Sequence, residues 1–220
     1  MSFYWVKTRW FIKNIFSNFE WSMPKEHKTV YLTFDDGPTP EVTQWVLDTL
    51  LAHDIKATFF CIGNNIEKHP DIFNKVVNAG HAIGNHTFNH LNGWETDPVT
   101  YHKNVTDAER SIVTRFPAFM QNKLFRPPYG KITARQSAAV RQDGYKIIMW
   151  DVLSADFDQT ISPEKCLQNV IRNTCYGSII IFHDSVKASK NMMYALPRAI
   201  EHLKQNGYRF EVLTFDKQGL

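Results

Sequence analysis

Residues 29–34 (TVYLTF) are β-branched or aromatic almost without a break, the pattern of a strand covered on both faces. The run stops at DDGP (35–38), where Gly37 and Pro38 mark a turn. The next stretch, 40–52, carries Val42, Trp45, Val46, Leu47, Leu50 and Leu51 at helical spacing. Thr39 is its predicted N-cap, and Pro40 sits at the first helical position. A second strand is predicted over 56–62 and ends at Gly63. One amphipathic helix follows over 65–79, stopped by Gly80. Downstream, the pattern predicts strands over 81–84, 123–125, 145–150, 178–182 and 209–213. It predicts helices over 98–116, 134–142, 163–173 (capped by Ser162) and 192–205. Strands alternating with helices imply a parallel sheet, and continuously apolar strands imply one buried on both faces. No linker or repeat interrupts residues 25–220, which read as one α/β domain.

Composition changes this picture little. The chain of 220 residues is 43% hydrophobic and 21% charged, ordinary for a globular protein, and 14% aromatic. A net charge of +3 without a basic block excludes nucleic acid as the expected partner. Cys61, Cys166 and Cys175 show no metal or redox spacing, and Cys61 lies in an apolar run as a core thiol. Residues 1–24 stand apart. Phe3, Tyr4, Trp5, Trp10, Phe11, Ile12, Ile15, Phe16, Phe19 and Trp21 alternate with Lys7, Arg9 and Lys13. The run is too interrupted for a signal-peptide core and too short and charged to span a bilayer. We expect an arm packed on the barrel; an interfacial helix on a membrane surface through residues 1–21, or an atypical export signal, are the alternatives. Without a recognisable leader, a cytoplasmic or membrane-associated location is expected over secretion.

The chemistry-bearing side chains fall just after the predicted strands: Asp35 and Asp36, His86 and His90, Arg126, Asp151 and Asp156, and His183. In a β/α barrel the loops after the strands open on one face, which carries the active site. Asp35 and Asp36 are adjacent like charges at a core edge, and they need a divalent cation or an arginine to hold them. His86 and His90 are four apart; on a helical turn both rings would share one side, with Cβ atoms roughly 5–6 Å apart. One carboxylate with two imidazoles is a usual zinc set that leaves a position open for water. The alternative, two surface histidines in a polar loop, leaves the carboxylate pair unexplained. A histidine after four apolar residues, as His183 is, is ordinarily a core residue, but here Asp184 follows and the strand end faces the same mouth. Arg126 could instead brace its turn. His27, His53, His69, His81, His102 and His202 read as structural or surface residues.

TFDDGP (33–38), HTFNH (86–90), RPPY (126–129), DVLSADF (151–157) and IIIFHD (179–184) occur in this order. Together with ATFF (57–60) and GHAIGN (80–85), they resemble the five motifs of the polysaccharide deacetylase family, the NodB-homology domain of carbohydrate esterase family 4. The resemblance covers roughly residues 28–215. It implies a distorted, TIM-barrel-like (β/α) barrel with about seven parallel strands. It implies a divalent metal on Asp36, His86 and His90, zinc first by ligand type and otherwise cobalt or manganese. Asp35 would be the base that activates the attacking water, and Arg126 would pair with Asp35 and keep it charged. The Tyr129 backbone N–H would face the oxyanion. His183 would be the acid that protonates the leaving amine, with Asp156 keeping it protonated. Ile181 and Phe182 would shape the acetyl pocket.

The chain departs from that pattern in the fourth motif, where Phe157 replaces the usual tryptophan and Leu153 stands where aspartate is common. Phe157 offers an apolar wall without an indole N–H, so substrate contacts change more than chemistry. Trp94 either stacks on a sugar ring or packs under its loop. The expected partner is an acetylated glycan, and the expected reaction is N-deacetylation of N-acetylglucosamine units in peptidoglycan, a chitin-like oligomer or a lipid-linked glycan. An O-acetyl esterase on xylan and a non-catalytic carbohydrate-binding barrel are the competing readings. Oligomeric state is not legible.

Overall fold

The computed structural model describes residues 4–215, so Phe3 of the arm lies outside it. Seven parallel strands curl into a half-barrel: β1 (Thr29–Asp35), β2 (Thr58–Cys61), β3 (Ala82–Asn85), β4 (Leu124–Phe125), β5 (Lys146–Ile147), β6 (Val152–Leu153) and β7 (Ile179–His183). Their order is β5-β4-β3-β2-β1-β7-β6, and β8 (Arg209–Phe210) pairs with the start of β1. β1 is central and buried at every position, as its uninterrupted apolar run requires. Its register against β7 sets Asp35 beside His183. Helices cover the outside: α2 (Val42–Ala52), α3 (Gly63–Lys68), α4 (Pro70–Asn78), α5 (Pro98–Val113), α6 (Ala134–Gln142), α7 (Pro163–Asn173) and α8 (Ser189–Gln205). Ser162 caps α7, its hydroxyl accepting the Lys165 N–H.

Several elements differ from the sequence expectation. The single helix expected over 65–79 is two, α3 and α4, broken at His69 (φ −131°, ψ 55°) because the residue before Pro70 is excluded from the helical region. α2 begins at Val42, since Glu41 takes φ 63°. His86 and His90 lie in an irregular loop and not on a helical turn, with Thr87 and His90 at positive φ. The run 145–150 is only partly strand. A second short strand, β6, starts after Asp151 and pairs with β7 through Val152↔Ile180 and Leu153↔Ile181. That register puts Asp151 level with Ile179, at the opposite end of the barrel from His183, so Asp151 does not reach the mouth.

β5 and β6 are the two sheet edges, and the N-terminal segment runs along both. The Leu153 N–H donates to the Val6 carbonyl (2.8 Å), and the Thr8 N–H donates to the Asp151 carbonyl (2.9 Å). Across the gap, the Glu20 N–H donates to the Ile147 carbonyl and the Glu20 carbonyl accepts the Met149 N–H, both at 2.8 Å. Between these contacts lies α1 (Trp10–Ile15), which buries none of its residues. Lys7 and Lys13 turn inward onto the buried Asp151 carboxylate, which also accepts from the Ser178 hydroxyl. These partners satisfy edge-strand groups that would otherwise stay open. No helix among the described residues is long and apolar enough to cross a membrane.

Candidate active site

Asp35 ends β1 and is buried, and Asp36 leaves the strand at φ 83°. Seven non-glycine residues among those described take positive φ, and six of them (Asp36, Glu41, Thr87, His90, Tyr129 and Ala155) lie in the loops after the strands. Each such conformation costs of order 1–3 kcal/mol and persists only where the surroundings impose it. Here the loops are pinned by buried amides. The Asn85 Oδ1 accepts the Thr87 N–H (2.9 Å), and the Asn104 Oδ1 accepts from both Phe88 and Asn89. Asn65 donates to the Asp36 carbonyl (2.7 Å).

The first constellation is Asp36, His86 and His90, with one ligand atom from each lying within 4.8 Å of the others. The His86 Nδ1–H donates to the Arg126 carbonyl (2.7 Å), which fixes the tautomer and leaves the Nε2 lone pair facing the carboxylates. Burial lowers the His86 pKa to about 4, against the pull of Asp35, so this ring is neutral near pH 7. The His90 Nε2 lies 3.3 Å from the Asp36 Oδ1, and its Nδ1 meets the Tyr129 hydroxyl at 3.1 Å. Burial opposes the Asp36 charge, but His90, His183 and His86 outweigh it and hold the carboxyl well below its usual range. The Asp36 Oδ1 is buried and accepts no hydrogen bond from the described residues. A buried, charged oxygen without a donor, beside two outward-facing imidazole nitrogens, fits a divalent cation by donor type and arrangement.

The second constellation is Arg126, fully buried, with Asp35. One of its terminal nitrogens donates to the Asp35 Oδ1 (2.7 Å) and to the Thr33 hydroxyl (2.8 Å). The rest of the guanidinium donates to the carbonyls of Ile148 (3.2 Å) and Met149 (2.9 Å). Its Cζ lies 4.1 Å from the Phe60 ring centre. Burial pushes its pKa down while Asp35 pushes it back up. The other Asp35 oxygen lies 3.7 Å from the His86 Nε2.

The third is His183 with Asp156. The fully buried carboxylate accepts the His183 ring Nδ1–H and the His183 backbone N–H, each at 2.7 Å. Burial alone would lower the His183 pKa. The charge and hydrogen bond of Asp156, with Asp36 and Asp35 behind it, raise it to about 9. Phe157 meets this ring edge-on at 5.2 Å.

Every residue singled out from sequence for catalysis or metal, apart from Asp151, therefore collects at one mouth. Of the candidates for substrate contact, Ile181 packs with Leu153 and Ala155 beneath it. Tyr129 is 60% exposed against His90, and Trp94 is 66% exposed with the Lys131 ammonium 5.2 Å from its ring. Sequence reasoning did not pick out Thr33, Asn65, Asn85 or Asn104, and it noted Asp184 only as the neighbour of His183. Asp184 is buried, accepts from the Gly37 N–H (3.0 Å) and the Thr43 hydroxyl, and is pushed up to about 7 by burial. Thr33, a polar residue within an apolar strand, was the available signal. His81, read as a structural or surface residue, is a core residue whose Nδ1 accepts the Ala57 N–H (3.2 Å).

A curled parallel barrel with acid, base and a two-histidine, one-carboxylate cluster gathered at the carboxyl ends of its strands is an architecture suited to a hydrolase. The polysaccharide deacetylase family pattern matches residues 22–148. A peptidoglycan-N-acetylglucosamine deacetylase of Bacillus cereus is 35% identical over 210 residues, covering 95% of this chain and 74% of that protein. A chitooligosaccharide deacetylase of Bradyrhizobium is 33% identical over 71% of each. The crystal structure of the Bc1960 peptidoglycan N-acetylglucosamine deacetylase, in complex with 4-naphthalen-1-yl-N-oxidanyl-benzamide, superposes with a TM-score of 0.83 at 34% identity, covering 94% of this chain and 95% of that one. The chain belongs to the polysaccharide deacetylase family.

Proposed function

We propose that this enzyme is a metal-dependent N-deacetylase that removes acetyl groups from N-acetylglucosamine units of a glycan such as peptidoglycan or a chitin-like oligomer. The observation that carries the reading is the placement of two proton-handling groups, Asp35 and His183, side by side on neighbouring strands next to the Asp36–His86–His90 cluster. Each is held in place by its own buried partner, Arg126 for Asp35 and Asp156 for His183.

A divalent cation on Asp36, His86 and His90 would supply Lewis acidity toward the amide carbonyl and toward water. Asp35 takes the proton of the attacking water; its free oxygen faces the cluster while Arg126 occupies the other. His183, protonated near neutral pH, gives its proton to the departing amine. Thr33, Ile148 and Met149 hold the Arg126 fork, so the base cannot swing away. Tyr129, at φ 59°, holds its hydroxyl 3.1 Å from the His90 Nδ1. The small apolar floor around Ile181 and Leu153 suits the acetyl methyl.

The test is acetate release from N-acetylglucosamine oligomers before chelation, after chelation and after zinc add-back. Release that chelation abolishes and zinc restores is expected. In Asp35→Asn, kcat should fall by roughly 10²–10⁴ with metal still bound. Full activity in that variant, or no release from any N-acetylated glycan with metal bound, would overturn the reading.

A further inference from the structure

The N-terminal segment does more than cover the sheet edges. With the barrel it encloses an apolar groove of about 400 Å³, walled by Ile12, Phe16 and Phe19 on one side and by Tyr129, Trp150 and Leu153 on the other. Several polar atoms in the lining are already engaged. The Tyr4 hydroxyl donates to Asp158 (2.7 Å), the Thr8 hydroxyl to the Trp150 carbonyl (2.7 Å), and the Trp21 indole N–H to the Phe16 carbonyl (3.0 Å). A sugar ring lodged there would lose hydration of its hydroxyls with few replacements, whereas a hydrocarbon would lose none.

The groove borders the reacting centre on two sides, through side chains that the two share. Tyr129 touches His90, with ring centres 4.6 Å apart. Tyr4, in the lining, stands 5.7 Å from Phe157, the ring that abuts His183. Between them Leu153 is in register with Ile181, so one side chain is shared by the groove and the apolar floor of the site. Leu153 stands where the family resemblance leads one to expect an aspartate, and an aspartate there would put a charge at the entrance.

We propose that the groove is an acyl-chain site, and that the enzyme hydrolyses N-acyl amino sugars whose acyl group is longer than acetyl, in the range of butanoyl to hexanoyl. This rests on the reaction proposed above. Water adds to the carbonyl carbon, the C–N bond breaks, and a carboxylate and a free amino sugar leave. The alkyl chain lies along Leu153 and Trp150 toward Ile12 and Phe16. A small closed acetyl pocket would have no use for an adjoining apolar groove many times the size of a methyl group.

The experiment compares N-acetyl, N-butanoyl and N-hexanoyl forms of one glucosamine trimer, in two measurements. In the metal-free protein, binding is followed by tryptophan emission, since Trp21, Trp94 and Trp150 line the groove. The hexanoyl form should bind about tenfold or more tighter than the acetyl form. In the zinc-loaded enzyme, kcat/KM for the hexanoyl form should stay within about tenfold of the acetyl value, a tolerance set by the cost of misplacing the reacting carbonyl. Ile12→Trp, which fills the groove, should abolish the hexanoyl advantage and leave acetyl turnover unchanged. Phe16→Ala, at a half-exposed position, should weaken only the hexanoyl form severalfold and serves if Ile12→Trp does not fold. Equal binding of all three forms, or hexanoyl turnover that neither variant alters, overturns the acyl-chain site. Absence of acetate release from the acetyl trimer instead overturns the deacetylase reading itself, and the metal-free binding series then still decides whether the groove takes the chain.

Discussion

Asp156→Asn isolates the link between the buried carboxylate and the acid. The substitution keeps side-chain shape and removes charge. In the native protein burial pulls the His183 ring toward neutrality, yet Asp156, aided by Asp36 and Asp35, raises it from 6.5 to about 9. That difference corresponds to about 3 kcal/mol of preference for the imidazolium. Asp156 supplies the two leading upward contributions, by charge and by its 2.7 Å hydrogen bond. Without it, burial should return the ring to its ordinary range or below, and at about pH 7.5 the protonated fraction falls to roughly a tenth. The assay is kcat/KM for an N-acetylglucosamine oligomer from about pH 5.5 to 9.5. The native alkaline limb should fall near 9. The variant limb should fall at least about two pH units lower, with roughly tenfold or greater loss at pH 7.5. Activity lost at pH 7.5 should partly return near pH 6, which a collapsed site could not do. An alkaline limb that stays in place in the variant would refute His183 as the proton donor. The same pair carries a stability signature. Because the folded-state value is raised, its contribution is complete below 6.5 and disappears as pH rises through about 9. The native protein should therefore lose stability over that window and Asp156→Asn should not, as followed by urea unfolding.

Three further outcomes follow from the same contacts. Arg126→Met should lower unfolding stability by ~3–5 kcal/mol in urea titrations, because it leaves the Asp35 charge buried and strips donors from Ile148 and Met149; a variant of native stability would mean that the pair is not a stabilising contact. Asp151→Asn should cost ~1–3 kcal/mol, since Lys7 and Lys13 lose their shared anion while remaining partly hydrated. Limited proteolysis should then cut before Trp21 faster than in the native chain, and an unchanged cleavage rate would contradict that anchoring. His86→Ala should remove stoichiometric zinc binding in calorimetry, while His102→Ala, on a surface pair with Asp143, should bind zinc as the native chain does; retention of zinc by His86→Ala would place the metal elsewhere.

The sequence by itself determined the strands and what ends them. A β-branched run can only be covered on both faces, and a DDGP break at its end can only leave carboxylates at the rim, so Asp35, Asp36, Arg126 and His183 were legible one loop at a time. Their convergence followed from the parallel topology. Tertiary structure decided whatever depends on register or distant partners. Asp151 looked like a rim residue until the pairing of β6 with β7 placed it at the far end, where residues 138 and 144 positions away in sequence neutralise it. Strands two residues long carry too little periodicity to give that register. The loop holding His86 and His90 could not be read as irregular from spacing, because its positive-φ residues are held by the amides of Asn85 and Asn104. The groove likewise exists only because an aromatic segment folds back across two unpaired sheet edges, and no local pattern encodes a surface built from residues so far apart.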